Sequence, residues 1–259
     1  MPSIAALRHA PWSLSKVKTA LRCGLEFHYR YVDRIPEPTV EPDARVGKAI
    51  HAALEGVLGR APVEEVILKN RQELLDDDER QRYDRLAEAV RKFVARIDAF
   101  RARRRVKHQL VEHMVAVNAD LEATLFVAKD AFFRGVWDAG FVYDDGNLAV
   151  VDHKTGIRRE LADYGDQLDG YAILAAAHLP HVKMVWLGVH FVSDAAMEWT
   201  EPRPLDDVKR TVAPRVLRQI EDAAAAVAGG FEARPSSYCR RCAYRSICPS
   251  MRSATPAIE

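Results

Sequence analysis

Asp138, in Gly135-Val136-Trp137-Asp138, and the pair Asp152 and Lys154, in Val150-Val151-Asp152-His153-Lys154-Thr155-Gly156, are the residues of this chain best suited to chemistry. Two carboxylates and an amine converging on one point would hold a hard divalent cation beside a phosphate. The intervening residues read as two strands around the polar turn Asp144-Asp145-Gly146-Asn147, a hairpin that brings the acids together. Side chains alternate along a strand, so Asp152 and Lys154 share one face while His153 points to the other, toward the core or a helix. Asp138 and Asp152 are therefore candidate ligands for Mg²⁺ or Mn²⁺. Lys154 is the candidate to orient a water and to neutralise charge growing on phosphorus.

Gln167 and Tyr171 follow at i, i+4 spacing, which puts both on one face of a helix. Tyr171 also fits an ordinary apolar stripe with Leu168 and Leu174. Cys239, Cys242 and Cys248 form C-x2-C-x5-C in an Arg-rich tail, and Cys23 lies far upstream. In a reducing compartment such thiols read as a metal site, and four thiolates suit either zinc or an iron–sulfur cluster. A metal joining Cys23 to the tail would close a long loop and constrain the unfolded chain.

Thirty-eight Lys plus Arg against 37 Asp plus Glu give a net charge of +1, which excludes a basic footprint over the whole molecule. Nucleic-acid contact must come from local patches such as Arg101, Arg103, Arg104, Arg105 and Lys107, or Arg240, Arg241, Arg245 and Arg252. No apolar run is long enough to span a membrane and Met1 to Ala10 lack a signal-peptide core, so the expectation is a cytoplasmic protein. The helicase phosphate-loop motif G-x-x-x-x-G-K-[ST] does not occur in the sequence, so no built-in motor is expected.

The elements that must position these residues read as an α/β/α arrangement in one domain spanning 1–259. Residues 1–108 are mainly helical, 109–204 form a catalytic sheet core, and 205–259 hold a helix and the cysteine tail. Ser13 caps a helix from Leu14 to Tyr31, ended by Pro36-Glu37-Pro38. Further helices cover Arg45 to Leu58, Val63 to Leu75 and Glu79 to Arg105. Strands dominate from Gln109 to Lys154, a helix runs from Asp163 to His178, and strands cover Lys183 to Ser193 and Ala196 to Thr200. Leu205 to Ala228 is helical, restarted at Pro214. Phe27, Tyr29 and Tyr31 interleave with His28 and Arg30, a pattern that serves either base stacking or core packing.

In order along the chain, Ser13-Leu14-Ser15, Cys23, Gly47-x-x-x-His51, Gly135-x-x-Asp138, Asp152-x-Lys154-Thr155-Gly156, Gln167-x-x-x-Tyr171, Cys239, Cys242 and Cys248 resemble the PD-(D/E)XK nuclease superfamily. The likeness is to its RecB-like branch with an iron–sulfur cluster, which includes CRISPR-associated and phage exonucleases. Gly24 departs from the proline usual in that family. The resemblance implies a mixed central β-sheet flanked by helices and a [4Fe-4S] cluster on Cys23, Cys239, Cys242 and Cys248. It implies Mn²⁺ or Mg²⁺ held by His51, Asp138, Asp152 and the His153 carbonyl, with imidazole tilting the choice toward Mn²⁺. Gln167 and Tyr171 would position Lys154 and the DNA backbone.

The reaction so implied is metal-assisted hydrolysis of phosphodiesters in single-stranded DNA or at DNA ends, possible alongside a helicase or integrase-type protein. Glu112, in Leu110-Val111-Glu112-His113, is a weaker ligand candidate, equally readable as a solvated strand residue. Two other readings use fewer residues. A DNA-binding or assembly subunit of a recombination or CRISPR adaptation complex would need no intact Asp138, Asp152 and Lys154, and a zinc-binding interaction protein would use the tail cysteines alone.

Overall fold

The computed structural model describes residues 2–38 and 41–252, and the Arg252 side chain lies outside that description. In chain order the helices are α1 (Ile4–Arg8), α2 (Leu14–Arg22), α3 (Gly24–Phe27), a π-helical turn (His28–Val32), α4 (Pro42–Leu58), α5 (Val63–Gln72), α6 (Asp77–Arg104), α7 (Gly165–His178), α8 (Leu205–Thr211), α9 (Ala213–Ala228) and α10 (Pro249–Arg252). The strands are β1 (Val106–Val117), β2 (Ala123–Thr124), β3 (Phe133–Tyr143), β4 (Leu148–Lys154), β5 (Met184–Phe191), β6 (Ala196–Trp199) and β7 (Arg203–Pro204). Two compact units result, one from residues 42–216 and one from residues 1–41 with 217–259. Among the described residues no helix is long and apolar enough to cross a membrane.

Residues 42–216 fold around a mixed sheet in the order β2-β1-β3-β4-β5-β6, with β7 also on β5. β1, β3 and β4 are antiparallel neighbours, whereas β4 and β5 run parallel and are joined through α7. β4 is central and buried from Leu148 to His153, as expected of a strand with helices over both faces. Ala149 and Val151 face one way, into a core built with Ile50, Ala53, Leu54 and Val57 of α4 and Val90 and Phe93 of α6. Asp152, on the alternate register, faces α7.

The helices on that core carry the expected signals. Val46, Ile50, Ala53, Leu54 and Val57 form the buried stripe of α4. Asp76 caps α6, accepting the Glu79 backbone N–H at 2.9 Å. Acids fill the first turn of α6 and Arg101, Arg103 and Arg104 its last, each favourable to the helix dipole. α6 begins at Asp77 rather than Glu79 because Asp76 supplies that cap. The helical stretch after Leu205 restarts at Ala213, with Pro214 in the first turn of α9, where its missing N–H costs nothing.

In the unit of residues 1–41 and 217–259, Ser13 caps α2 as expected, its Oγ accepting the Lys16 N–H at 3.3 Å. The helix does not continue to Tyr31. Cys23 is extended (φ −157°, ψ 116°) and separates α2 from α3. A β-carbon on Gly24 would lie 3.0 Å from the backbone N and O of Glu232, and Leu25 donates to Glu232 O at 3.1 Å. The break is thus set by a segment more than two hundred positions away in sequence.

Phe27 is fully buried, stacked on Phe231 with centroids 6.2 Å apart, and cannot present its ring to a base. The base-stacking expectation fails there because the ring is needed for packing. Arg234 ties this unit together, donating to the carbonyls of Ala20, Leu21 and Ala226 at 3.2, 2.9 and 2.7 Å. Arg234→Ala is expected to destabilise this unit by about 2 kcal/mol through those lost charge-assisted bonds, read as a lower melting midpoint. An unchanged midpoint would mean that the carbonyls are satisfied by water at no cost.

Candidate active site

The β3–β4 ladder ends at Ala139↔Val151, so Asp138 and Asp152 stand one position beyond it. From there β4 continues against β5 while β3 continues against β1. Asp138 fills the resulting fork. Its Oδ2 accepts the His153 backbone N–H at 2.6 Å, so a side-chain carboxylate replaces the missing strand partner. His51 reaches the same oxygen from α4, Nδ1 to Oδ2 3.6 Å, and its ring meets that of His153 edge-on with centroids 6.0 Å apart. Gly47 lets α4 come this close, because a β-carbon there would lie 2.8 Å from Thr155 Oγ1.

Asp152 is almost wholly buried and held from several sides. Its Oδ1 accepts from Gln167 Nε2 at 2.5 Å and from Tyr171 OH at 2.9 Å, and Gln167 Nε2 also lies 2.9 Å from Tyr171 OH. The two α7 side chains share one helix face, as their spacing implied, and they meet on Asp152 rather than on Lys154. Lys154 Nζ lies 2.6 Å from Asp152 Oδ2. That contact is an ion pair whose angles do not make a hydrogen bond, so the oxygen keeps unfilled acceptor capacity inside the fold. Lys154 also sits over the Tyr164 ring, 5.5 Å from its centroid. His153 turns to the opposite face of the sheet, beside Phe93 and His190.

Electrostatics at the fork are those of a site short of positive charge. Burial pushes the Asp138 carboxyl well above the ordinary carboxylate range, and the neighbouring Asp152 pushes it further, against the pull of the His153 N–H and Lys154. Burial also raises Glu112, with Asp138 adding to the shift. Burial lowers the His51 imidazole against the attraction of Asp152, leaving a neutral ring with a lone pair to offer. Burial and Asp152 hold the Tyr171 phenol well above its usual value, so it remains a proton donor.

Glu112 is the residue that the sequence undervalued. Val111↔Ala139 and His113↔Trp137 place it across from Asp138, and its backbone is left-handed at φ 45° in mid-strand. One ligand atom each from His51, Glu112 and Asp138 lie within 4.8 Å of one another. The nearest sequence clue was the polarity of Glu112 in an otherwise strand-like run. Imidazole nitrogen plus carboxylate oxygens, two acids raised by burial and by neighbouring charge, and an Asp152 oxygen without a hydrogen-bond donor are a donor set that fits Mg²⁺ or Mn²⁺.

The cysteines lie in the other unit. Cys23, Cys239, Cys242 and Cys248 all line one small cavity of about 30 Å³, together with Arg22, Glu26 and Tyr238. All four are free thiols. Burial pushes the Cys242 thiol up, and Glu26, Cys23 and Cys239 add to the shift against a backbone hydrogen bond with Tyr244. Four soft donors converging from the break after α2 and from the tail are compatible with a thiolate-held metal group. Among the described residues, no three of these sulfurs lie mutually within 4.8 Å.

Residues 11–249 match the PD-(D/E)XK nuclease superfamily, and the chain belongs to that superfamily. It is accordingly a metal-dependent nuclease, with DNA as the substrate that the family implies, on a mixed α/β fold consistent with a restriction-endonuclease-like core. A solved structure described as "Crystal structure of SSO0001" is similar at 16% identity, with 92% of this chain and 96% of that chain covered and a TM-score of 0.35. No curated protein gives a significant match.

The raised Asp138 carboxyl has a signed consequence for stability. A carboxyl that binds its proton more tightly when folded stabilises the fold at low pH, and that contribution is lost as pH rises from the ordinary carboxylate range through the raised folded value. Metal-free Asp138→Asn should therefore gain melting temperature relative to the parent as pH rises through that window, with little difference at the acid end. Parallel melting curves for the two proteins across pH would show that Asp138 is not strained by its surroundings.

Proposed function

We propose that this protein is a Mn²⁺- or Mg²⁺-dependent exonuclease of the RecB-like branch, acting on single-stranded DNA or DNA ends, with a structural [4Fe-4S] cluster. The observation that carries the hydrolytic part is the meeting of Asp138, Asp152 and Lys154 at the strand fork, with His51 and Glu112 beside them. His51, Glu112, Asp138, Asp152 and the His153 carbonyl are the groups that would hold the divalent ion. When bound, that ion supplies Lewis acidity to the phosphodiester and acidifies water for in-line attack on phosphorus.

The remaining work falls to the chain itself. Gln167 and Tyr171 fix one oxygen of Asp152 and so aim the other toward Lys154. Lys154, a compact ammonium resting on Tyr164, orients the attacking water and offsets negative charge developing on the phosphoryl oxygens. The His153 N–H keeps Asp138 in place through the cycle. The preference for ends over internal bonds rests on the ordered motif series from Gly47 to Cys248.

For the cluster, the support is the one cavity that Cys23, Cys239, Cys242 and Cys248 share, together with the motif series that resembles the cluster-bearing branch.

End-labelled single-stranded DNA incubated with the protein and Mn²⁺ should be degraded, and EDTA should stop the reaction. Asp152→Ala and Lys154→Ala should each lower the rate about 100- to 1,000-fold with the fold retained. Full activity in the Lys154 variant would overturn its assignment, and equal cleavage of circular DNA would make the enzyme an endonuclease. Anaerobically purified protein should be brown and contain iron, with colour, iron and melting temperature all falling in Cys242→Ala. A colourless protein containing one zinc would replace the cluster reading.

A further inference from the structure

We infer that His190, on the face of the sheet away from Lys154, is a positioning residue for the metal-binding side chains, acting through the backbone of His153. The inference rests on the reading of the fork as a divalent-metal site.

The peptide groups of His153 are where the fork is held together. Its N–H donates to Asp138 Oδ2 at 2.6 Å, and His51 Nδ1 lies 3.6 Å from that same oxygen. One candidate ligand therefore takes its position from this residue of β4, and a second lies against the first. The β4–β5 ladder carries the strand on either side of that residue, and its side chain on the other face adds a second restraint. Parallel pairing puts His153 directly beside His190 on β5, so both rings emerge from the same side of the sheet. Their Nδ1 atoms are 2.9 Å apart and the rings are nearly perpendicular, at 77°.

Phe93 of α6 closes the arrangement. It stacks on His190 with centroids 4.8 Å apart and meets His153 edge-on at 5.4 Å. Each imidazole retains 2% of its exposure, and His153 Nε2 has no hydrogen-bond partner among the described residues. The His190 nitrogen is thus the hydrogen-bond contact that fixes the rotation of the His153 ring, whose other ring neighbours are Phe93 and His51. Two Nδ1 atoms 2.9 Å apart require one to carry the N–H and the other the lone pair, so one ring donates to the other. A hydrogen bond of fixed direction between buried rings restrains rotation. Loss of that bond would free the His153 side chain, and with it the peptide that places Asp138.

This predicts a specific separation between bulk and hydrogen bonding. His190→Phe keeps a planar ring against Phe93 and removes the nitrogen, whereas His190→Asn returns a polar atom near the Nδ1 position. Calorimetric titration with Mn²⁺ alone, without DNA, should show metal binding weakened about 10- to 100-fold in the Phe variant and largely restored in the Asn variant. Turnover on single-stranded DNA should need correspondingly more Mn²⁺, while the KM for DNA stays near that of the parent. Should the Phe variant fail to fold, His190→Met, which also lacks the nitrogen, is read the same way. Parent-like Mn²⁺ affinity in the folded Phe or Met variant, or failure of Asn to restore it, would overturn the inference. A parent protein that binds no Mn²⁺ would instead overturn the metal-site reading beneath it.

Discussion

The catalytic unit depends on a place where two strands stop pairing. Beyond Ala139↔Val151 the hairpin opens, and the backbone N–H of His153, deprived of a strand partner, is satisfied by the carboxylate of Asp138. A buried amide left without an acceptor would be costly, so this contact repairs the sheet and assembles the site at once. It also carries an electrostatic burden. Asp138 is drawn into a dry crevice beside Asp152, and the surrounding groups do not fully neutralise the pair. Burial and the neighbouring carboxylate both disfavour charge on Asp138, which a cation at the fork would offset.

Around that fork, different layers of the molecule hold different atoms. α7 fixes Asp152 through Gln167 and Tyr171, α4 delivers His51 by virtue of Gly47, and β1 brings Glu112 across from Asp138. The opposite sheet face contributes the paired imidazoles of His153 and His190 under Phe93. The site is thus supported from both faces of its central strand. Lys154, Asp138 and Gln167 are partly exposed, whereas Asp152, His153, Tyr171 and His190 are buried.

Much of this was legible because it is local. The turn at Asp144 to Asn147 and the alternation through Asp152, His153 and Lys154 encode the hairpin and its facing. The i, i+4 spacing of Gln167 and Tyr171 encodes their shared helix face. Pro214 marked the restart of α9 in the same way. What stayed hidden is set across long stretches of chain. Glu112 joins His51 and Asp138 only through the register of β1 on β3, for which no local pattern exists. The helix expected from Leu14 to Tyr31 breaks because Gly24 abuts Glu232, and Phe27 is claimed by Phe231. His190 carries no motif, since its value comes from lying next to His153 in a parallel ladder.

That parallel ladder also bears on when the protein becomes dangerous. β4 and β5 can pair only after the whole crossover between them has closed, and α7, with the side chains that aim Asp152, lies within the crossover. Contacts of such sequence separation form slowly and after local hairpins and helices. Before that closure a nascent chain owns the side chains of β4 and α7 without holding them in register. Competence to cut nucleic acid thereby arrives with completion of the fold, a safeguard written into the topology itself.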